Sequence, residues 1–178
     1  TPEEFGLIGV LLIFNALSTV LIDGGFGQAL VRKQNATIAD FSTIFYFNLF
    51  ISLLLYCVLY MLSPYISAFF SQDELTKIGR VYFLSIIFYA LYFIQYVIVI
   101  KEMQYKKMAV VNIVSVLISG IISIILAYKD WGVWTLVIQQ LIFQFLRAVL
   151  FFYFVNWKPK LIFRFQTIRD FWRFSINL

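Results

Sequence analysis

Two ionisable residues lie within stretches otherwise suited to lipid. Asp23 precedes the glycine cluster Gly24-Gly25-Phe26-Gly27, and Arg147 is the single charge in the run from Trp131 to Trp157. A charge near mid-bilayer costs at least about 2.5 kcal/mol on insertion scales, so each asks for a reason. A guanidinium facing a polar cavity would be a fixed cation for phosphate or another anion, through charge-assisted hydrogen bonds. The bland alternative is a long side chain snorkelling to the headgroups. The Asp23 carboxylate could couple or gate cation movement, or pair with Arg32 or Lys33 at a helix end. Arg80 and Lys101, at opposite ends of one apolar run, could extend a cationic path toward an anionic substrate, although such interfacial positions suit any solvated cation.

Other chemistries have little to work with. The adjacent carboxylates Asp73 and Glu74 read as a helix start more readily than as an acid–base pair. Histidine is absent, Cys57 is the only cysteine and lies in an apolar run, and no phosphate-cradling glycine loop followed by Lys-Ser/Thr occurs. No catalytic residue, metal site or cofactor is expected, and the chain does not read as an enzyme. Asn15, Asn48, Gln95, Asn112, Gln139, Gln140 and Gln144 recur within the apolar runs, to bond between helices or to line a cavity for sugar hydroxyls.

The elements that must position these groups follow from composition. The 178 residues are 62% hydrophobic and 13% charged, with a mean hydropathy of +0.90, far from the globular average. A spanning helix needs about 20 apolar residues. Residues Phe5 to Ile22, Phe41 to Gln72, Val81 to Ile100 and Met108 to Tyr128 carry no charge, and the run containing Arg147 makes a fifth. Lipid offers no partner to backbone groups, so these runs must be helices or a closed barrel. Barrel strands alternate apolar and polar residues, which Ile51-Ser52-Leu53-Leu54-Leu55-Tyr56 does not.

The expected fold is therefore all-α, a polytopic transmembrane bundle with spans at about 5–30, 41–63, 78–100, 108–128 and 131–155. The second helix is expected to end near Pro64, with Tyr65 to Phe70 a separate interfacial turn. Lys129-Asp130 makes so tight a hairpin that the last two helices must be antiparallel neighbours. Beyond Pro159, Leu161, Phe165, Ile168 and Trp172 recur at helical spacing opposite Arg169 and Arg173, which predicts a basic amphipathic helix over 161–173 lying in the interface. A further span is expected to begin at 174, so the chain reads as part of a longer protein.

Lys and Arg distribute unevenly across this serial path. Arg32, Lys33, Lys101, Lys106, Lys107, Lys158, Lys160, Arg164, Arg169 and Arg173 fall on one side, against Lys77, Arg80 and Lys129 on the other. The positive-inside rule makes loops 32–40 and 101–107 and residues 156–173 cytoplasmic. The net charge of +5 then reflects topology and contact with anionic membrane lipids, and no nucleic acid partner is implied.

The ordered motifs Pro-Glu-x-Phe-Gly (Pro2 to Gly6), Asp-Gly-Gly-Phe-Gly-x-Ala-Leu-Val (Asp23 to Val31), Asp-Phe-Ser-Thr (Asp40 to Thr43), Lys-x-Met-x-Tyr-Lys-Lys (Lys101 to Lys107) and Trp-Gly-Val-Trp-Thr-Leu-Val (Trp131 to Val137) resemble those of bacterial polysaccharide exporters. These are the Wzx-type flippases of the multidrug/oligosaccharidyl-lipid/polysaccharide superfamily. The resemblance implies helices two to six of a two-lobed transporter, hence most of one lobe. It also implies passage of a polyprenyl-diphosphate-linked oligosaccharide across the bacterial inner membrane by alternating access, for surface polysaccharide or O-antigen synthesis. Partners implied are the lipid-linked oligosaccharide, a polysaccharide polymerase and glycosyltransferases. Arg147 is then the first candidate for the diphosphate. Two other readings stay open: a membrane-embedded glycosyltransferase or polymerase using Asp73 and Glu74, and a cation-coupled multidrug exporter using Asp23.

Overall fold

The computed structural model describes residues 2–169. They form α1 (Pro2–Asp23), α2 (Phe26–Arg32), α3 (Ile38–Phe70), α4 (Glu74–Tyr82), α5 (Leu84–Lys101), α6 (Tyr105–Ala127) and α7 (Val133–Phe154). Grouped by continuity these give five helices long and apolar enough to cross a membrane: Gly6–Arg32, Ile38–Phe70, Glu74–Lys101, Tyr105–Ala127 and Val133–Phe154. The all-helical, polytopic class read from the sequence holds.

The first span is broken where the glycines stand. Gly24 and Gly25 both take positive φ, 49° and 78°, a region that side chains with a Cβ rarely adopt. Gly24 N–H still donates to Val20 O at 2.9 Å and closes α1. The Asp23 carboxylate then accepts Gly27 N–H at 3.1 Å at the start of α2, so one residue ends a helix and opens the next.

Thr37 caps α3 through a reciprocal box. Asp40 N–H donates to Thr37 Oγ1 at 3.3 Å, and Thr37 N–H donates to Asp40 Oδ2 at 2.9 Å. The helix therefore starts at Ile38, and it continues through Pro64 to Phe70. This corrects the expectation of a stop near Pro64 with a separate turn at Tyr65 to Phe70. Proline removes one backbone donor, but unwinding the six residues from Tyr65 to Phe70, five of them apolar, would orphan more, so the helix absorbs the defect. Ser71, with φ 54°, ends it.

The third span turns at Phe83 between α4 and α5, where Phe83 N–H reaches Gly79 O at 2.9 Å. The hairpin after α6 uses positive φ at Asp130 and Gly132, and α6 and α7 pack along their length as antiparallel neighbours. Residues 158–164 after α7 are not helical, and helix resumes only over 165–169. The amphipathic helix expected from 161 thus starts later, because backbone donors at 160 and 164 bond to side chains of α3 instead. Its continuation to 173, and the span expected from 174, lie outside the described residues.

Helix α5 lies at the centre and touches all six other helices. Two apolar clusters flank it. One, at the basic end, joins Phe26, Ile44, Phe45, Phe93, Ile98 and Phe151; the other joins Leu11, Leu75, Ile78, Tyr82, Phe83 and Val137. The outer faces are apolar as well. On α6, Ile113, Val116, Leu117, Ile121, Ile124 and Ile125 all stand exposed. A continuous apolar face of this kind on a long helix suits lipid, and with five helices long and apolar enough to span the chain is a multi-pass membrane protein.

Candidate functional site

Arg147 does not turn outward. Gln144, Arg147 and Phe151 share one face of α7 at helical spacing, and all three engage Tyr92 of α5, which is only 1% exposed. The Tyr92 hydroxyl donates to Gln144 Oε1 at 3.0 Å, and Phe151 stacks on its ring at 5.5 Å and 14°. The Arg147 guanidinium lies 4.6 Å from its centroid and 5.3 Å from that of Phe143. Cation–π contact at a half-buried site of this kind contributes about 0.5–2 kcal/mol, which offsets part of the insertion cost. The Nε of Arg147 is buried and has no hydrogen-bond partner among the described residues.

Two clefts adjoin this cluster. Phe143 lines one of about 320 Å³, together with Ser119, Gln139, Gln140, Tyr82, Ile8 and Leu12. Ser123 Oγ donates to Gln139 Oε1 at 3.3 Å beside it. Tyr89, whose ring meets Tyr92 edge-on at 5.5 Å, lines the other, of about 440 Å³. That second cleft holds Asp23, Gln28, Arg32, Tyr96 and Val97. Tyr89 thus stands between the Tyr92 ring on which Arg147 lies and the cleft that Asp23 lines.

Asp23 is not paired with Arg32 or Lys33 as expected. Its carboxylate accepts from Gly27, while Lys33 Nζ reaches Asp40 Oδ2 at 2.9 Å. Gly27 permits this arrangement, since a Cβ there would stand 2.9 Å from Asp23 Oδ1 and 3.1 Å from Phe93 Cζ.

The other two cations sit elsewhere. Arg80 at the end of α4 lies over the Tyr60 ring at 4.3 Å, and its Nε too is buried and unpartnered among the described residues. Lys101 donates to Leu30 O at 2.7 Å and to Lys33 O, at the C-terminal end of α2. Lys107 likewise donates to Phe154 O at 3.1 Å at the end of α7. Helix ends present unpaired carbonyls and the negative pole of the dipole, so part of the basic charge on this side serves helix ends. Arg80 and Lys101 therefore join no common cluster with Arg147.

Sequence reasoning missed Tyr89 and Tyr92, the residues that organise the site. Their spacing with Tyr96, which repeats on one helical face, carries the signal, yet in an apolar run tyrosines look like packing. The helix-end role of the lysines was also hidden, because it depends on which helices end beside which loops.

Comparison with known proteins finds relatives along most or all of the chain. The chain is 28% identical over 166 residues, 88% of its length, to the teichuronic acid biosynthesis protein TuaB of Bacillus subtilis. It is 24% identical along its whole length to the succinoglycan biosynthesis transport protein ExoT of Rhizobium meliloti. Over 97% of its length it is 22% identical to the lipopolysaccharide biosynthesis protein WzxC of Escherichia coli. It spans about a third of each relative, 33% of the first and 36% of the other two. No solved structure gives a significant match. The family described as polysaccharide biosynthesis protein matches across residues 1–178, and the chain, with its five apolar helices, belongs to that family.

Proposed function

We propose that this chain forms part of one lobe of an exporter that moves a polyprenyl-diphosphate-linked oligosaccharide across the bacterial inner membrane by alternating access, for surface polysaccharide synthesis. In this reading the end bearing loops 32–40 and 101–107 is cytoplasmic. The observation that carries the proposal is the Arg147 guanidinium, turned to the central helix on Tyr92 and Phe143 with a buried unsatisfied Nε. A cation held this way is half-buried with its Nε unsatisfied, and a diphosphate supplies charge and acceptors for such a guanidinium. The cleft beside Phe143 offers the amides of Gln139 and Gln140 and the Ser119 hydroxyl, groups suited to sugar hydroxyls. Names of two relatives, a succinoglycan transport protein and a lipopolysaccharide biosynthesis protein, support the same class.

Asp23 is the coupling or gating candidate within this scheme. Its carboxylate sits between the helix break and the cleft that Tyr89 lines, where cation binding would compete with the Gly27 bond and shift α2 against α1. Arg80 and Lys101 act as packing and capping groups here. Polymerases and glycosyltransferases are the partners that would consume and supply the substrate.

The test is Arg147→Ala and Arg147→Lys in the full-length protein. Surface polysaccharide should fall by roughly tenfold or more for alanine, the loss of a charge-assisted contact worth about 1.5–3 kcal/mol, with lysine partly active. Lipid-linked repeat units should accumulate in the membrane. Normal polymer output from correctly inserted Arg147→Ala protein would remove Arg147 from the substrate path.

A further inference from the structure

The strap that follows α7 carries a surface unrelated to the Arg147 cluster. It begins at Trp157, whose indole meets Phe41 and Phe45 edge-on at 6.3 and 5.9 Å. Its backbone is then tied to the start of α3. Lys160 N–H donates to Ser42 Oγ at 3.1 Å, and Arg164 N–H donates to Thr43 Oγ1 at 3.1 Å. Thr167 Oγ1 donates to Asp40 Oδ1 at 3.3 Å. Asp40-Phe41-Ser42-Thr43 is thus a socket, with every residue of the motif in use.

Pinning one edge of the strap inward fixes what the other edge presents. Leu161 is 93% exposed, Phe165 79% and Phe163 50%. Lys158, Lys160 and Arg164 are exposed beside them, and residues 158–169 contain no acidic group. Facing water, such a segment would forgo the burial of its apolar side chains while concentrating like charge. At the ends of α3 and α7 it stands where headgroups must be, and there both features are favourable.

We infer that the strap is a docking surface for anionic phospholipid. Leu161, Phe163 and Phe165 enter the acyl boundary, and Lys158, Lys160 and Arg164 contact headgroup phosphates. The single sign of the charge selects anionic over zwitterionic lipid. Because the socket lies in the first two turns of α3, the lipid surface is mechanically connected to a transmembrane helix.

The experiment places the full-length protein in nanodiscs, with Phe165→Cys carrying a bimane label and the other cysteines, Cys57 included, replaced. Quenching by headgroup-nitroxide phosphatidylglycerol is compared with quenching by the same label on phosphatidylcholine. Phosphatidylglycerol should quench better by roughly threefold or more, and the preference should vanish in K158Q/K160Q/R164Q while phosphatidylcholine still quenches. Raised salt should abolish the preference of the unchanged strap as well, which probes the same charges without a substitution. Equal quenching by both lipids overturns the proposal. So does a label quenched by aqueous iodide and by neither lipid, the outcome expected of a site for a soluble partner.

Discussion

Thr167 and Asp40, 127 positions apart, meet at 3.3 Å in a buried hydrogen bond. The same carboxylate accepts from Thr37 N–H, Thr37 Oγ1 and Lys33 Nζ at 2.9, 3.1 and 2.9 Å. One side chain therefore caps α3, anchors the loop before it and holds the strap after α7. Such concentration means that a change at Asp40 acts on three segments at once.

Asp40→Ala is expected to lower stability by about 2–3 kcal/mol, the joint loss of a capping interaction and charge-assisted bonds. Asp40→Asn should lose less, since an amide oxygen can keep Thr37 N–H while its NH2 group meets Thr167. Thermal unfolding in detergent measures the order. Limited trypsin digestion supplies an independent readout, because cleavage after Lys160 and Arg164 should quicken in Asp40→Ala. A strap cleaved at the original rate would show that Asp40 does not hold it.

Gly27 and Gly120 should respond oppositely to added side chains. At Gly27 a Cβ meets the Asp23 carboxylate and the Phe93 ring at 2.9 and 3.1 Å, whereas at Gly120 it meets nothing within 4 Å. Gly27→Ala is expected to cost about 1–3 kcal/mol by overpacking, and Gly27→Val to reduce inserted protein sharply. Gly120→Ala should be neutral or stabilise by up to about 1 kcal/mol, as expected for glycine in a helix interior. Equal tolerance at both positions in a thermal-shift series would contradict the close approach of α2 to α5.

The spans were legible because four contain a long run with no charge and the fifth a run with Arg147 alone, and lipid leaves such runs only one way to satisfy their backbone. The glycine cluster after Asp23 was visible, and the first span breaks at its first two members, Gly24 and Gly25. Pro64 misled, since the rule that proline ends helices assumes water ready to receive the freed groups. The cluster around Arg147 was half visible. A lone arginine in an apolar run announces itself, but its stacking on Tyr92 depends on α5 and α7 packing in one register, which no local pattern encodes. The helix-end role of Lys101 was invisible for the same reason.

Pro64→Ala tests the account of α3. The substitution returns a donor opposite Tyr60 O and removes the ring clash, at a position exposed on the helix surface. A stability gain of about 1–3 kcal/mol is expected, bounded by the interior cost of proline. Hydrogen exchange of amides 61–70 should slow in parallel. Faster exchange there would mean that proline terminates an ordered turn after all.

Lys101 and Arg147 should separate stability from transport in opposite directions. Lys101 holds two carbonyls at the end of α2, so Lys101→Met should cost about 1–2 kcal/mol from lost capping and dipole interaction. Export per inserted molecule should stay near normal. The depth of Arg147 in the bilayer costs about 2.5–3.5 kcal/mol, and the rings around it offset about 0.5–2 kcal/mol of that. Arg147→Gln should therefore leave thermal stability close to its starting value, or raise it, while polysaccharide export fails. Paired measurements of melting temperature and polymer output, normalised to protein in the membrane, decide the matter. A Lys101 variant that melts normally but does not export would move the anion site to the basic end of the bundle.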